Sequence, residues 1–420
     1  MRLEFVRLTM LGAITGLGAG AVVLAFRWTI EVTQTGFLPH GILGNYEALP
    51  TLAVLALPLG GGLLLGLMFD RLPPELRSVG IVHVIQQLRF SGRPKLRVSN
   101  ALVQFFAGAF AIICGHSVDR EGPGVHLGAA SGSLIGGLSK DADAFTLTAA
   151  GAAAAIAAAF NTPLAGVVFV IEVLGVRYRV DRFIPVITAS VMGALISRAA
   201  YGATPSFSVS HLQMGSLYEL LPVALLGIIT GLLAVIFIVL AERVGRFTEK
   251  WRPSLAFTLA GLVTGLIGLV YPQVLGVSYD TLDSILNNHL AGFMLIGLVI
   301  GKLIATAISI GLKVPGGLIG PSLVIGGALG GVMGMLVRNL MLFESGSESF
   351  YASVGMIAMM SALLQAPLAA MFALLELTAD PNIIFPGMTA VVCADLIVRQ
   401  AFGRESVFEH MRRLADRGEA

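Results

Sequence analysis

Residues 119 to 128 read DREGPGVHLG, which sets Asp119, Arg120 and Glu121 side by side inside one of the most apolar stretches of the chain. A carboxylate directly before Gly122-Pro123-Gly124 stands at the start of a helix, where free backbone N–H groups and the positive end of the macrodipole favour negative charge. Glu121 can then compete, as a tethered anion, with a small free anion for the same N–H groups, and protonation would neutralise and release it. A plainer expectation for these residues is an ion pair between Glu121 and Arg120, with Asp119 at the membrane surface. His116, Ser117, His126 and Ser131 crowd the same stretch. A membrane serine hydrolase would need a Ser–His pair with an orienting acid, and no Gly-x-Ser-x-Gly turn surrounds either serine. Hydrolysis is therefore a remote alternative, as is a metal site from His83, His116 and His126. His126 is expected to be a helix-packing or hydrogen-bonding residue.

The elements that hold these residues must be membrane helices. Of 420 residues, 56% are hydrophobic and 12% charged, and the mean hydropathy is +0.86, a membrane composition. Apolar runs recur at Leu8 to Phe26, Ala53 to Met68, Leu217 to Leu240, Leu255 to Val270 and Ala291 to Ile310, against the ~20 residues that a spanning helix needs. About ten such segments can be counted, several fused or short. The first is expected to be a retained helix, because no small-residue cleavage site of the usual kind follows it. Basic residues gather at Arg2 and Arg7, from Arg71 to Arg97, at Arg177, Arg179 and Arg182, from Arg243 to Arg252 and from Arg404 to Arg417. By the positive-inside rule these are cytoplasmic, with both termini inside, in an inner (plasma) membrane that the chain crosses many times. They read as solvated connections, so no nucleic-acid partner is expected. Cys114 and Cys393 lie in apolar segments and make no disulfide or metal framework.

The chain also repeats itself. Phe160 to Glu172 (FNTPLAGVVFVIE) aligns with Leu363 to Glu376 (LLQAPLAAMFALLE), matching Pro163 to Pro367 and Glu172 to Glu376 at a constant offset of 204 residues. Upstream, EGPGVHLGAASG at Glu121 to Gly132 resembles IGPSLVIGGALG at Ile319 to Gly330, at an offset of 198 residues. Paired Gly-Pro-interrupted apolar segments are the pattern of a transporter whose site lies near the membrane midplane between repeats. Residues 1–205 are expected to form the first repeat, 206–412 the second, and 413–420 a short cytoplasmic tail. Within hydrocarbon a helix that starts halfway is tolerable only beside a cavity or ligand. Such starts are expected at Val79-Gly80-Ile81, at Gly122-Pro123-Gly124 and across Pro315 to Pro321, where converging N–H groups can bind an anion without a buried basic side chain.

With these motifs in order, the sequence resembles the CLC family of chloride channels and proton-coupled chloride antiporters from about residue 10 to 412. REGPGVHLG, FNTPLAGVVFVIE and PGGLIGPS look like three of that family's signature stretches. The resemblance implies an all-α integral membrane homodimer, with two inverted repeats of tilted and partial helices and one anion pathway per subunit. It implies chloride or a similar small monovalent anion as ligand, no cofactor, the lipid bilayer and a second copy as partners, and no enzymatic activity. The family's external gating glutamate falls on Glu121. Anion-binding positions fall on Val79, Gly80, Ile81, Gly122, Leu318, Ile319 and Phe408.

The departures bear on mechanism. The family's central serine falls on Val79 and its central tyrosine on Phe408, so two hydroxyl ligands are missing. Ile319 replaces an aromatic residue, Val82 a proline, and Asp119 stands where glycine is usual. Anion coordination should therefore rest on backbone N–H groups, with weaker central binding and looser selectivity; fluoride-selective members also lack the serine. The internal proton glutamate of coupled members falls on Val173, which cannot carry a proton. That favours a passive anion channel gated by Glu121, with proton-coupled exchange by a non-standard proton route as the alternative. Glu172 and Glu376 are expected to be structural, buried against arginine or helix ends.

Overall fold

The computed structural model describes residues 2–91, 93–138, 141–203, 207, 212–290, 292–340 and 346–418. Its first half carries α1 (Arg2–Phe37), α2 (Thr51–Arg71), α3 (Pro74–Arg77), α4 (Gly80–Phe90), α5 (Val98–Ile113), α6 (Glu121–Gly137), α7 (Asp141–Phe160), α8 (Pro163–Glu172) and α9 (Val180–Tyr201). The second half carries α10 (Leu220–Phe247), α11 (Pro253–Gly268), α12 (Tyr279–Leu286), α13 (Gly292–Gly311), α14 (Ile319–Leu340), α15 (Glu348–Leu364), α16 (Pro367–Thr378), α17 (Ile384–Asp395) and α18 (Val407–Gly418). Among the described residues eight helices are long and apolar enough to cross a bilayer, and five shorter apolar helices accompany them. α1, at 36 residues, reaches ~54 Å at ~1.5 Å per residue, well beyond a ~30 Å hydrocarbon core, so it must tilt or protrude.

Small residues let the central helices touch through their backbones, as expected where lipid removes the hydrophobic drive for helix association. α6 packs on α7: a Cβ placed on Gly128 would lie 2.3 Å from the Gly151 carbonyl oxygen, and one on Gly132 only 1.9 Å from that of Leu147. α14 meets α15 in the same way, with Gly326 against Gly355 and Gly330 against Tyr351. These are the repeat-equivalent positions, so the sequence repeat is a repeat of packing.

The two repeats run in opposite senses. Glu172, the last residue of α8, accepts from Leu368 N–H (3.1 Å) and Ala369 N–H (2.7 Å) in the first turn of α16. Glu376, in the last turn of α16, accepts from Leu164 N–H (3.0 Å) and Ala165 N–H (2.9 Å) in the first turn of α8. Equivalent helices that cap each other end to start are antiparallel, which is the inverted arrangement expected. The two acids are thus bound to helix ends, each satisfying N–H groups that a helix start leaves free.

Three of the basic segments, those around Arg77 to Arg89, Gly245 to Trp251 and Arg404 to Met411, share one face. Arg89 of α4 reaches Glu409 of α18 at 3.2 Å and the carbonyls of Val173 (3.1 Å) and Leu174 (3.2 Å), and Arg404 meets Glu242 at 3.0 Å. The hydrogen bond from Arg412 holds the Glu409 carboxyl below its ordinary 4.5. That pairing is therefore complete above pH 4.5 and is lost only as pH falls through the lower folded value.

Adding one methyl group at the closest helix crossings tests this packing. Gly132→Ala and Gly330→Ala should each cost roughly 1–3 kcal/mol by overpacking, read as a lower thermal unfolding temperature in detergent. Gly60→Ala, where nothing lies within 4 Å of the new atom, should show no such loss.

Candidate functional site

Three helix starts converge where the sequence sets its Gly-containing breaks. α4 begins at Gly80, whose φ of +78° suits glycine and turns the chain sharply after extended Val79. α6 begins at Glu121 and α14 at Ile319. The residues just before α6 and α14 run antiparallel: Asp119 N–H donates to the Gly317 carbonyl (3.1 Å) and Gly317 N–H to the Asp119 carbonyl (3.3 Å). Asp119 and Gly317 are repeat equivalents, 198 residues apart, so the two halves join on their own symmetry axis. The approach is close enough that a Cβ on Gly122 would lie 2.6 Å from the Gly317 Cα.

The sequence expectation for Asp119 needs correction. It does not lie at the membrane surface but is fully buried. Its Oδ1 accepts from Gly122 N–H and its Oδ2 from Gly320 N–H, both at 2.9 Å. Gly122 and Gly320 are also repeat equivalents, so one carboxylate spans the first turns of α6 and α14. Glu121 is fully buried as well, and neither of its carboxylate oxygens has a hydrogen-bond partner among the described residues. The ion pair expected with Arg120 is present but long, at 3.5 Å from Nε to Oε1. Arg120 also pairs with Glu31 at 3.2 Å and lies 5.3 Å from the centre of the Tyr279 ring.

A cavity opens on either side of this junction. The one on the basic face, of about 390 Å³, is lined by Val79, Gly80, Ile81, Gly316 and Phe408 among others. Four of the expected anion-binding positions therefore meet there, with Val79 and Phe408 supplying apolar surface in place of hydroxyls. Phe408 is held by α18, which Arg89 ties to α4 and to the end of α8. The cavity at the far ends of α1 and α9, of about 460 Å³, is lined by Arg27, Glu31, Arg120, Tyr201, Tyr279 and Asp280 among others. Leu318 and Ile319 are buried between the two cavities in the chain segment that also holds Gly317 and Gly320. Gly122 lies at the same level, its N–H already occupied by Asp119.

The remaining expectations sort cleanly. Ser117 Oγ lies 2.9 Å from Thr306 Oγ1, and Ser131 Oγ donates to the Leu127 carbonyl, so neither serine engages a histidine and the hydrolase reading falls. His126 hydrogen-bonds across helices: its Nε2 is 3.1 Å from Nδ1 of His83, which lines the cavity on the basic face. No group of three metal-ligating side chains occurs among the described residues. Val173 is buried at the end of α8 and its carbonyl accepts from Arg89. Cys114 and Cys393 are free thiols.

Against known proteins, a family profile described as voltage gated chloride channel matches residues 61–399. A putative chloride channel protein, ClcB-like, of Ralstonia nicotianae is 28% identical over 95% of both chains. An H(+)/Cl(-) exchange transporter, ClcA, of Vibrio vulnificus is 29% identical over 92% of this chain and 86% of its own. Among solved structures, a slow cyanobacterial Cl-/H+ antiporter superposes with a TM-score of 0.84 at 22% identity, covering 97% of this chain and 98% of that one. A CLC-type fluoride/proton antiporter gives 0.81 at 20% identity, over 98% and 99% of the two chains. The match over most of its length, on an all-helical inverted-repeat fold, shows that the chain belongs to the voltage-gated chloride channel family, the CLC family of membrane anion transport proteins.

Proposed function

We propose that this protein is a proton-coupled exchanger of small monovalent anions, with chloride as the reference substrate and Glu121 as the gate. The observation that carries the reading is a fully buried carboxylate, at the first residue of α6 and between two cavities, whose oxygens have no hydrogen-bond partner within normal geometry among the described residues. An acid in that place is poised to change protonation and position together. The sequence alone leans toward a passive channel, because Val173 stands where a proton-carrying acid would be expected. The relatives named as exchange transporters and antiporters favour the coupled alternative instead. The proton then reaches Glu121 by a route that needs no acid at residue 173.

The same reading makes the basic face cytoplasmic, puts both termini inside the plasma membrane and pairs the chain with a second copy. In the cavity on that face anions meet backbone N–H groups near Gly80 and Ile81 together with the apolar side chains of Val79 and Phe408. Such a site binds weakly and discriminates little between halides and nitrate, because specificity comes from polar groups placed to satisfy one ligand.

Liposomes loaded with chloride, with voltage clamped by valinomycin, test the coupling when chloride efflux and external pH are recorded together. Proton movement linked to chloride and lost in Glu121→Gln is the expected result; chloride flux with no linked proton in the unaltered protein would establish a channel. A second test restores the missing ligands. Val79→Ser combined with Phe408→Tyr should tighten chloride binding about twofold to tenfold per added hydrogen bond, read by isothermal titration in detergent, and unchanged affinity would exclude both positions from anion contact.

A further inference from the structure

The charge of Asp119 is answered by an unusual set of partners. Among the described residues no lysine or arginine pairs with its carboxylate; both oxygens are held by backbone N–H groups of two separate helices, of 17 and 22 residues. That donor set is one a free anion would use: converging helix starts, buried, with no side-chain cation in contact. The carboxylate that the sequence marks as the gate, Glu121, is excluded from these donors; among the described residues its polar neighbours are the Arg120 guanidinium, at 3.5 Å, and the Tyr279 hydroxyl. One cradle thus has two tethered claimants, of which Asp119 is the occupant.

The space admits nothing else while Asp119 is in place. A Cβ on Gly317 would lie 2.1 Å from Asp119 Oδ1 and 2.8 Å from the Gly122 N. On the side of Gly320, the Tyr279 hydroxyl closes the cradle, 3.1 Å from where a Cβ would stand. The charged and titratable groups around Asp119 are Arg120, Glu121, Tyr279 and Lys302. Arg120 is engaged with Glu31 and Glu121. The Lys302 ammonium donates to the carbonyls of Val274 and Gly276 and to Ser278 Oγ. None of these side chains hydrogen-bonds the Asp119 carboxylate, so its hold on the cradle depends on its own negative charge.

We propose that Asp119 is a second gating carboxylate, a resident anion that fills the N–H cradle shared by Gly122 and Gly320 and must leave it before a transported anion can enter. Taking up a proton from the outer cavity removes its charge, weakens both hydrogen bonds, and lets it withdraw toward Arg120 and Tyr279. The proton returns to the outer solution when the carboxylate re-forms. Anion entry from outside is therefore pH-dependent through two acids in series, Asp119 at the cradle and Glu121 beside it. The inference rests on the anion-transport reading above.

The test compares unaltered protein, Asp119→Gly, Asp119→Asn, Glu121→Gln and the double variant Asp119→Asn with Glu121→Gln, each in chloride-loaded liposomes across external pH and by chloride titration in detergent. Asp119→Asn keeps the side-chain oxygen and the shape, so it remains informative if the glycine variant fails to fold. If the cradle is free of Asp119 less than a tenth of the time, its removal should tighten apparent chloride affinity by about tenfold or more. Glu121→Gln alone should retain a pH-dependent flux, and the double variant should lose it. The proposal is overturned if Asp119→Asn and Asp119→Gly keep the unaltered affinity and pH profile, or change only thermal stability as a lost helix cap would. It is overturned equally if Glu121→Gln alone abolishes all pH dependence. Absence of chloride flux from every form would defeat the transport reading, leaving the titration in detergent to decide on Asp119.

Discussion

Two helix starts facing each other inside a membrane repel. Each N-terminus carries roughly half a positive elementary charge on unbonded N–H groups, and hydrocarbon offers neither water nor counter-ions to offset it. α6 and α14 meet in this way, and the single carboxylate of Asp119, held between Gly122 and Gly320, balances the pair. The antiparallel contact of Asp119 with Gly317 and the flanking glycines that let the backbones approach bring that one negative charge between the two starts. The place is held by a tethered anion, the Asp119 carboxylate.

The rest of the molecule holds these short helices still. Glycine-lined crossings lock α6 to α7 and α14 to α15 at equivalent places, so the two starts are fixed by the same packing used twice. α4 contributes the third start and is pinned through Arg89, which joins the helix carrying Phe408 to the end of α8. The cavity on the basic face is therefore walled by elements from both halves of the chain and from the C-terminal helix, and its chemistry is set by which side chains those elements present. Val79 and Phe408 make it apolar where hydroxyls would make it polar.

Much of this was legible in the sequence because the signals are local. Gly80, Gly122-Pro123 and Gly320-Pro321 mark helix starts in a hydrocarbon setting, and the two matched blocks announce the repeat. The structural character of Glu172 and Glu376 was also readable, though not that each caps the other's helix. What escaped depends on residues far apart in the chain. Asp119 reads as a surface charge until Gly317 and Gly320, some 200 residues later, are brought beside it. The pairing of His83 with His126 is likewise invisible from spacing, since nothing in either helix says that their faces meet. The position of Phe408 opposite Val79 came only with the family resemblance, because no periodicity links a C-terminal helix to the start of α4.

The reciprocal contacts of Glu172 with α16 and of Glu376 with α8 bear on how the protein is made. Until α16 has been synthesised and inserted, the first turn of α8 has unbonded N–H groups within the bilayer and Glu172 is a carboxylate without its donors. The first half of the chain therefore gains these hydrogen bonds only when the second half lies against it.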